Sequence, residues 1–290
     1  MDIKKRELRR RLEQGEFICA PGVFDLISAR IADRFEFPAL YMTGYGVVAS
    51  SLGLPDAGLA GYSDMVERVD RIASATSTPV IADGDTGYGG LLNVDHTVRG
   101  YERAGACAIQ LEDQVSPKKC GHTPGRKVIP VEDMVSKIKV ALTARESEDF
   151  LVIARTDSRT GLGIEEAIRR GQVFADAGAD IIFIEAPESV DEMVEIGRRI
   201  DKPLLANIVV GGSTPLLSIK ELSDIGYQLV IFPGSAFLAM GAAVESVYTH
   251  IKSSGSTAGL ETPLYDFQAF NRLMGFDKVW KFEETWHSQD

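Results

Sequence analysis

Short, continuous apolar runs alternate along this chain with longer stretches whose apolar residues recur at helical spacing. The runs cover residues 17–20, 39–43, 80–83, 106–112, 151–155, 180–185, 204–207 and 229–232. Each is brief and often β-branched, the pattern of strands buried on both faces of a parallel sheet. The stretches 62–75, 94–104, 131–145 and 164–177 read as helices; in the third, Met134, Ile138 and Leu142 share one face. Ala104-Gly105-Ala106 and Ala177-Gly178-Ala179 place a glycine between a helix and the next strand, a helix-ending signal.

Eight strand–helix units in this order predict an α/β fold, a (β/α)8 barrel of the TIM type. The barrel spans about residues 15–253, with a helical tail over about 254–290, all as one domain. An open doubly wound sheet competes with this reading. The even spacing favours closure, and no G-x-G-x-x-G follows the first run. The tail is expected to be helical around 263–284 and carries Phe267, Phe270, Leu273, Met274, Val279 and Trp280. So much apolar surface beyond a complete barrel predicts packing on the barrel or on another subunit.

Bulk properties narrow the partners. The formal net charge of −11 is ill suited to nucleic acid or an anionic membrane, which need a basic surface. The one basic run, Lys4 to Arg11, is interleaved with leucines and a glutamate and reads as the polar face of an N-terminal helix. No run approaches the roughly 18 apolar residues of a membrane span, and the opening residues lack the apolar core of a secretory leader. Three cysteines without a C-x-x-C pair suit a reduced thiol protein, so a cytoplasmic location is expected. Cys19 and Cys107 lie in apolar runs and are expected to be buried structural residues.

Barrel enzymes carry their chemistry at the C-terminal ends of the strands. Read in order, those ends present Thr43-Gly44-Tyr45-Gly46, Asp83-Gly84-Asp85-Thr86-Gly87, Glu112-Asp113, Arg155-Thr156-Asp157, Glu185, Asn207 and Pro233-Gly234-Ser235. Rim salt bridges are the plainer reading of any one acid here. Several acids converging on one rim repel each other unless a cation sits among them, and an all-oxygen set suits Mg²⁺ or Mn²⁺. The turn Gly87-Tyr88-Gly89-Gly90 resembles a phosphate cradle but lacks a P-loop lysine. Its simpler role is to bring backbone close to a metal-bound ligand.

The segment 115–127 after the fourth strand is long, polar and rich in glycine and proline, as in a mobile lid. It sets Cys120 among Lys118, Lys119, His122, Arg126 and Lys127. Cationic surroundings are expected to lower the thiol pKa and make the sulfur a usable acid or base.

At Lys118-Lys119-Cys120-Gly121-His122 the chain resembles the isocitrate lyase/phosphoenolpyruvate mutase superfamily, in its carbon–carbon lyase branch. Pro21-Gly22-Val23-Phe24-Asp25, Ser51 to Asp56, Ile81 to Gly89, Leu111-Glu112-Asp113-Gln114 and Ala154 to Asp157 extend the likeness over about residues 15–250. The resemblance implies that Asp83 contacts Mg²⁺ most directly, with Asp56, Asp85 and Glu112 holding it directly or through water. It implies that the amides of Thr43-Gly44-Tyr45 cradle an α-oxo acid. Arg155 would pair with a carboxylate, and Gly121, His122, Glu185, Asn207 and Pro233 would line the pocket. It further implies last-helix exchange between subunits of a homotetramer.

The implied reaction is cleavage of a malate-type 2-hydroxy acid. Cys120 protonates the departing carbanion, with His122 nearby, and Tyr45 or a metal-held water takes the hydroxyl proton. Isocitrate lyases are far longer than this chain. Oxaloacetate hydrolases of the branch carry a serine where Pro233 stands. The methylisocitrate lyases carry arginines where Leu238 and, in a looser alignment, Pro263 stand, and these serve a third carboxylate. A dicarboxylate such as 2,3-dimethylmalate is therefore expected ahead of the tricarboxylate 2-methylisocitrate. Oxaloacetate hydrolysis and phosphonomutase chemistry stand further off. The non-enzymatic alternative is an inactive small-acid scaffold, which intact Asp83, Asp85 and Cys120 disfavour.

Overall fold

A computed structural model describes residues 2–123 and 125–287. Eight parallel strands close on themselves in sequence order: β1 (Ile18–Val23), β2 (Leu40–Met42), β3 (Val80–Asp83), β4 (Ala108–Glu112), β5 (Leu151–Thr156), β6 (Ile181–Ile184), β7 (Leu204–Asn207) and β8 (Leu229–Phe232). β8 returns to pair with β1, so no edge strand is left. The predicted (β/α)8 barrel is present.

The helices are α1 (Asp2–Glu13), α2 (Leu26–Ala32), α3 (Gly44–Leu52), α4 (Tyr62–Ala75), α5 (Leu91–Arg103), α6 (Val131–Ala144), α7 (Arg159–Leu162), α8 (Ile164–Asp176), α9 (Val190–Arg199), α10 (Ile219–Asp224), α11 (Ser235–Ser254), α12 (Phe267–Leu273) and α13 (Phe276–His287). α5 and α8 end where the sequence indicated. Gly105 and Gly178 follow them at φ 95° and 101°, a left-handed conformation that favours glycine.

Alternate strand residues fill the barrel. Ile18, Tyr41, Ile81, Ile153, Phe183, Leu205 and Ile231 belong to one buried cluster, which Leu8 and Leu12 of α1 join. Period-two alternation sends these side chains to one face. Lys5 of α1 is buried, its ammonium 2.7 Å from Glu102 Oε1.

β1 runs three residues past the apolar run and includes Pro21. Pro21 stands where the ladder to β8 ends, and Gly22 opens the ladder to β2, so the missing N–H falls at a handover between partners. Gly22 also lets β1 approach β8, since a Cβ there would lie 2.6 Å from Pro233 Cα. Cys107 is fully buried as expected, while Cys19 is only half-buried.

Two compact units are distinguished, Met1–Ala236 and Phe237–Asp290. The division falls near the start of α11. In the second unit, α12 and α13 replace the single helical stretch read from sequence. Gly275, at φ 97°, separates them. No residue of α11, α12 or α13 is buried, and Tyr248, Phe267, Phe282 and Trp286 are each more than 60% exposed.

Candidate active site

β3 ends on Asp83, β4 on Glu112, and β5 carries Arg155 directly opposite Glu112. Beside them α3 begins at Gly44, so its first backbone amides face the rim. The Gly44 amide donates to Asp83 Oδ2 at 3.3 Å, and the Asp85 amide donates to Asp83 Oδ1 at 3.1 Å. A Cβ at Gly44 would stand 2.7 Å from Asp83 Oδ2, so only glycine allows this approach. Tyr45, the next residue, is 41% exposed on the same helical turn.

Asp56, Asp83, Asp85 and Glu112 are all buried. The Lys118 ammonium lies among them, 2.5 Å from Asp56 Oδ1 and 2.6 Å from Asp85 Oδ1. Each of these oxygens meets the ammonium as a close ion pair, whereas Glu112 Oε1 has no hydrogen-bond partner among the described residues. One ammonium does not balance the cluster. Burial, with the Asp83 and Asp56 charges, pushes Asp85 up to about 6 despite Lys118. Burial holds Glu112 well above the carboxylate range against the pull of Arg155. Burial opposes the Lys118 charge, yet Asp85, Glu112, Asp83 and Asp56 keep it firmly protonated.

Among the described residues, no three such side chains stand pre-formed as a metal cage. The acids are arranged around an ammonium instead. The donor set nonetheless fits a hard divalent cation: it is all oxygen, over-rich in negative charge, and has unsatisfied lone pairs.

Residues 115–123 lie against this cluster through Lys118 and Cys120. The base of segment 115–127 is tied by the Val115 amide to Lys127 O at 2.8 Å and the Ile129 amide to Asp113 O at 2.8 Å. Gln114 clasps Lys119, accepting from its amide at 3.0 Å and donating to its carbonyl at 2.8 Å. The Cys120 amide donates to Asp56 O at 3.1 Å, fixing the cysteine beside the acidic cluster. The expected lowering of the thiol pKa is not found. Burial pushes Cys120 up, and the Asp56 and Glu185 charges add to this, against an amide hydrogen bond from His122 and the Arg155 charge. The flanking cations are engaged elsewhere or exposed: Lys118 on Asp56 and Asp85, Arg126 on Asp157 at 3.0 Å, Lys119 and Lys127 at the surface.

Opposite Cys120 the remaining polar residues form one network. Arg155 grips Asp157 through Nε and Nη2, both at 2.9 Å, and reaches Glu185 Oε2 at 3.0 Å. Its guanidinium also stacks 5.0 Å from the Phe183 ring. Asn207 Nδ2 donates to Glu185 Oε2 at 3.0 Å, and His122 Nε2 lies 3.3 Å from Asn207 Nδ2. Arg155 was expected to meet a substrate carboxylate. The Nε/Nη2 edge of its fork is already held by Asp157. Pro233 sits half-buried past the end of β8. Asp157 and Lys118 stand in the sequence at the fifth strand end and beside Cys120, but their contacts with Arg155 and with the acidic cluster carry no sign there, and Tyr41 and Gln110 are hidden inside apolar runs.

A family profile described as phosphoenolpyruvate phosphomutase matches residues 8–252. The chain belongs to the phosphoenolpyruvate mutase/isocitrate lyase superfamily. It is 46% identical to a 2,3-dimethylmalate lyase of Eubacterium barkeri, covering 97% of both chains. It is 44% identical to a 2-methylisocitrate lyase of Aeropyrum pernix, covering 93% of this chain and 86% of that one. A crystal structure of 2,3-dimethylmalate lyase superposes with a TM-score of 0.91 at 39% identity, covering 97% and 95% of the two chains. Phosphonopyruvate hydrolase in complex with oxalate and Mg²⁺ superposes with a TM-score of 0.87 at 30% identity, covering 98% and 99%. A superfamily member thus binds a small organic acid, oxalate, together with Mg²⁺. No described helix is long and apolar enough to cross a membrane.

Proposed function

We propose that this superfamily member is a Mg²⁺-dependent carbon–carbon lyase that cleaves 2,3-dimethylmalate to pyruvate and propionate. The observation that carries the reading is the position of Cys120, whose backbone amide is tied to the Asp56 carbonyl beside a buried, under-compensated carboxylate cluster and whose thiol keeps its proton. The 46% identity to a 2,3-dimethylmalate lyase over nearly the whole of both chains supports the choice of substrate. The likeness to a 2-methylisocitrate lyase supports that compound as the second reading.

In this reading Asp83, Asp85, Asp56 and Glu112 hold the cation, Mn²⁺ serving as a substitute. When bound it would draw the substrate's 2-hydroxyl and carboxylate together and lower the hydroxyl pKa. The protein's own residues do the rest. The amides at the start of α3 receive the α-oxo acid carboxylate. The arginine–carboxylate network of Arg155, Asp157 and Glu185 forms a fixed polar wall, with His122 and Asn207 completing it.

In this reading Tyr45, 41% exposed, relays the hydroxyl proton: its phenol oxygen accepts it while its own proton passes to solvent. As that proton leaves, the C2–C3 bond breaks, C2 becomes the ketone of pyruvate, and the electron pair remains on C3. Cys120 Sγ–H then protonates C3 to give propionate. A raised thiol pKa suits this role, because the sulfur keeps its proton until a stronger base arrives. Segment 115–127 excludes water meanwhile, which protects the carbanion from stray protonation.

The reading includes a homotetramer, for which the exposed apolar side chains of α11 to α13 are the support. It puts the enzyme in the cytoplasm, where the three free cysteines stay reduced. The deciding experiment is a pyruvate-release assay on 2,3-dimethylmalate, 2-methylisocitrate, oxaloacetate and phosphonopyruvate, with and without chelator. Asp83→Ala should raise the metal requirement most sharply. Full turnover in metal-free enzyme, or no turnover of any carbon–carbon substrate, would overturn the reading.

A further inference from the structure

Two polar side chains inside the barrel are used by none of the steps above. Tyr41 on β2 is 2% exposed and Gln110 on β4 is 0% exposed. β3, which ends on Asp83, runs between their strands. Across it the Tyr41 hydroxyl lies 2.7 Å from Gln110 Oε1, and Gln110 Nε2 lies 3.2 Å from Asp83 Oδ1. A buried polar pair in an apolar barrel costs stability unless each member is satisfied.

Geometry fixes the direction of this chain. Asp83 Oδ1 already accepts from the Asp85 amide, so Gln110 presents its NH₂ to this oxygen. That turns Gln110 Oε1 toward Tyr41, whose O–H must then donate. Without the hydroxyl, the carboxamide loses what holds it in this orientation, and its buried oxygen is left unpaired. Asp83 Oδ1 accepts from both Gln110 Nε2 and the Asp85 amide, whereas Oδ2 meets only the longer contact from Gly44.

We propose that Tyr41 and Gln110 are positioning residues that lock Asp83 Oδ1 and keep Oδ2 turned to the rim as a cation ligand. The proposal rests on the reading of the acidic cluster as a divalent-cation site. Outer partners of this kind typically change metal affinity by about 10 to 100-fold when removed.

The test is direct binding of Mn²⁺ to metal-free protein without substrate, followed by the loss of the free-ion paramagnetic resonance signal. Wild type, Tyr41→Phe and Gln110→Met are compared, with circular dichroism and thermal melting recorded on each. We expect Tyr41→Phe to bind Mn²⁺ at least about tenfold more weakly while keeping the wild-type fold, and Gln110→Met to do so at least as strongly. The double variant should be little worse than Gln110→Met alone, because the two act as one chain. In turnover, the Tyr41→Phe defect should be rescued by excess Mg²⁺, which a purely structural defect would not be. Tyr41→Phe removes a single oxygen and decides the matter even if Gln110→Met fails to fold. Binding by Tyr41→Phe within about twofold of wild type overturns the dyad and leaves the cation site standing. Absence of Mn²⁺ binding by wild type overturns the cation site and the dyad with it.

Discussion

Gly121 lies directly against Arg155, so closely that a methyl group on its Cα would collide with Nη2 and stand 2.7 Å from the neighbouring Glu185 Oε2. Arg155 cannot retreat, because Asp157 holds its Nε and Nη2. The closed position of the segment carrying Cys120 therefore depends on a missing side chain. Gly121→Ala should leave the barrel intact and keep the segment from seating. kcat/KM should fall by at least about 10²-fold, as for displacement of a positioned catalytic group. Trypsin should cut faster at the exposed Lys119 and Lys127. An alanine variant with near wild-type kcat/KM and unchanged proteolysis would show that the contact is not part of closure.

Cys120→Ser tests the proton donor. The thiol is pushed above its ordinary value by burial, so it carries its proton throughout neutral pH. A serine hydroxyl is a far weaker acid still, and it cannot deliver a proton to C3 at a useful rate. kcat should drop by about 10² to 10⁴-fold, the usual contribution of a general acid. The melting temperature and the affinity for a substrate analogue should stay close to wild type. If the serine variant keeps more than about a tenth of kcat, Cys120 is not the acid.

Much of this was legible before any coordinates, for reasons that differ by residue. The barrel declares itself because strands buried on both faces leave continuous apolar runs, and helix ends such as Gly105 and Gly178 punctuate them. Asp83, Asp85 and Glu112 are legible as a group because each follows or ends such a run, and the strand ends of a barrel converge on one rim. The Cys120 environment was misread. Sequence neighbours were taken as spatial neighbours, but Lys118 turns into the acidic cluster and Arg126 turns to Asp157. Arg155 carries no sign in sequence that Asp157, two positions on, would occupy half its fork. The Tyr41–Gln110 chain is invisible because it crosses three strands and depends on register.

Asp85 makes metal binding and stability depend on pH in opposite senses. Burial, with Asp83 and Asp56, raises it from an ordinary 3.8 to about 6 in the metal-free fold. A raised carboxyl pKa means the folded state prefers the protonated form. Its contribution to stability is full below the unfolded value and is lost as pH rises through about 6. A cation needs the ionised form, so its affinity grows over the same interval. For the chelated protein, Asp85 should contribute a fall in melting temperature between about pH 4 and about pH 6, and Mg²⁺ should restore more of it at the higher pH. Scanning fluorimetry at several pH values, with chelator and with Mg²⁺, measures both effects. A larger Mg²⁺ effect at the lower pH would contradict the assignment.

Substrate choice turns on where positive charge is left over. The resemblance implies arginines for a third carboxylate at Leu238 and, in a looser alignment, at Pro263, and both residues here are uncharged and exposed. The cations of the barrel rim offer little in their place. Arg126 is held by Asp157 and Thr160, Arg155 by Asp157 and Glu185, and Lys118 by Asp56 and Asp85. Each is already neutralised by a protein carboxylate, so recruiting one to a third substrate carboxylate would strand a buried acid. A carboxylate left unpaired in a closed site costs on the order of a few kcal/mol, or about 10² to 10³ in kcat/KM. The enzyme should therefore prefer 2,3-dimethylmalate to 2-methylisocitrate by at least about tenfold in kcat/KM. Leu238→Arg should narrow that gap by improving the tricarboxylate, with little change in the dicarboxylate. Initial rates on both substrates, for wild type and variant, decide it. A wild-type preference for 2-methylisocitrate would mean that one of these ion pairs opens to receive the third carboxylate, and the second reading of the function would then take the place of the first.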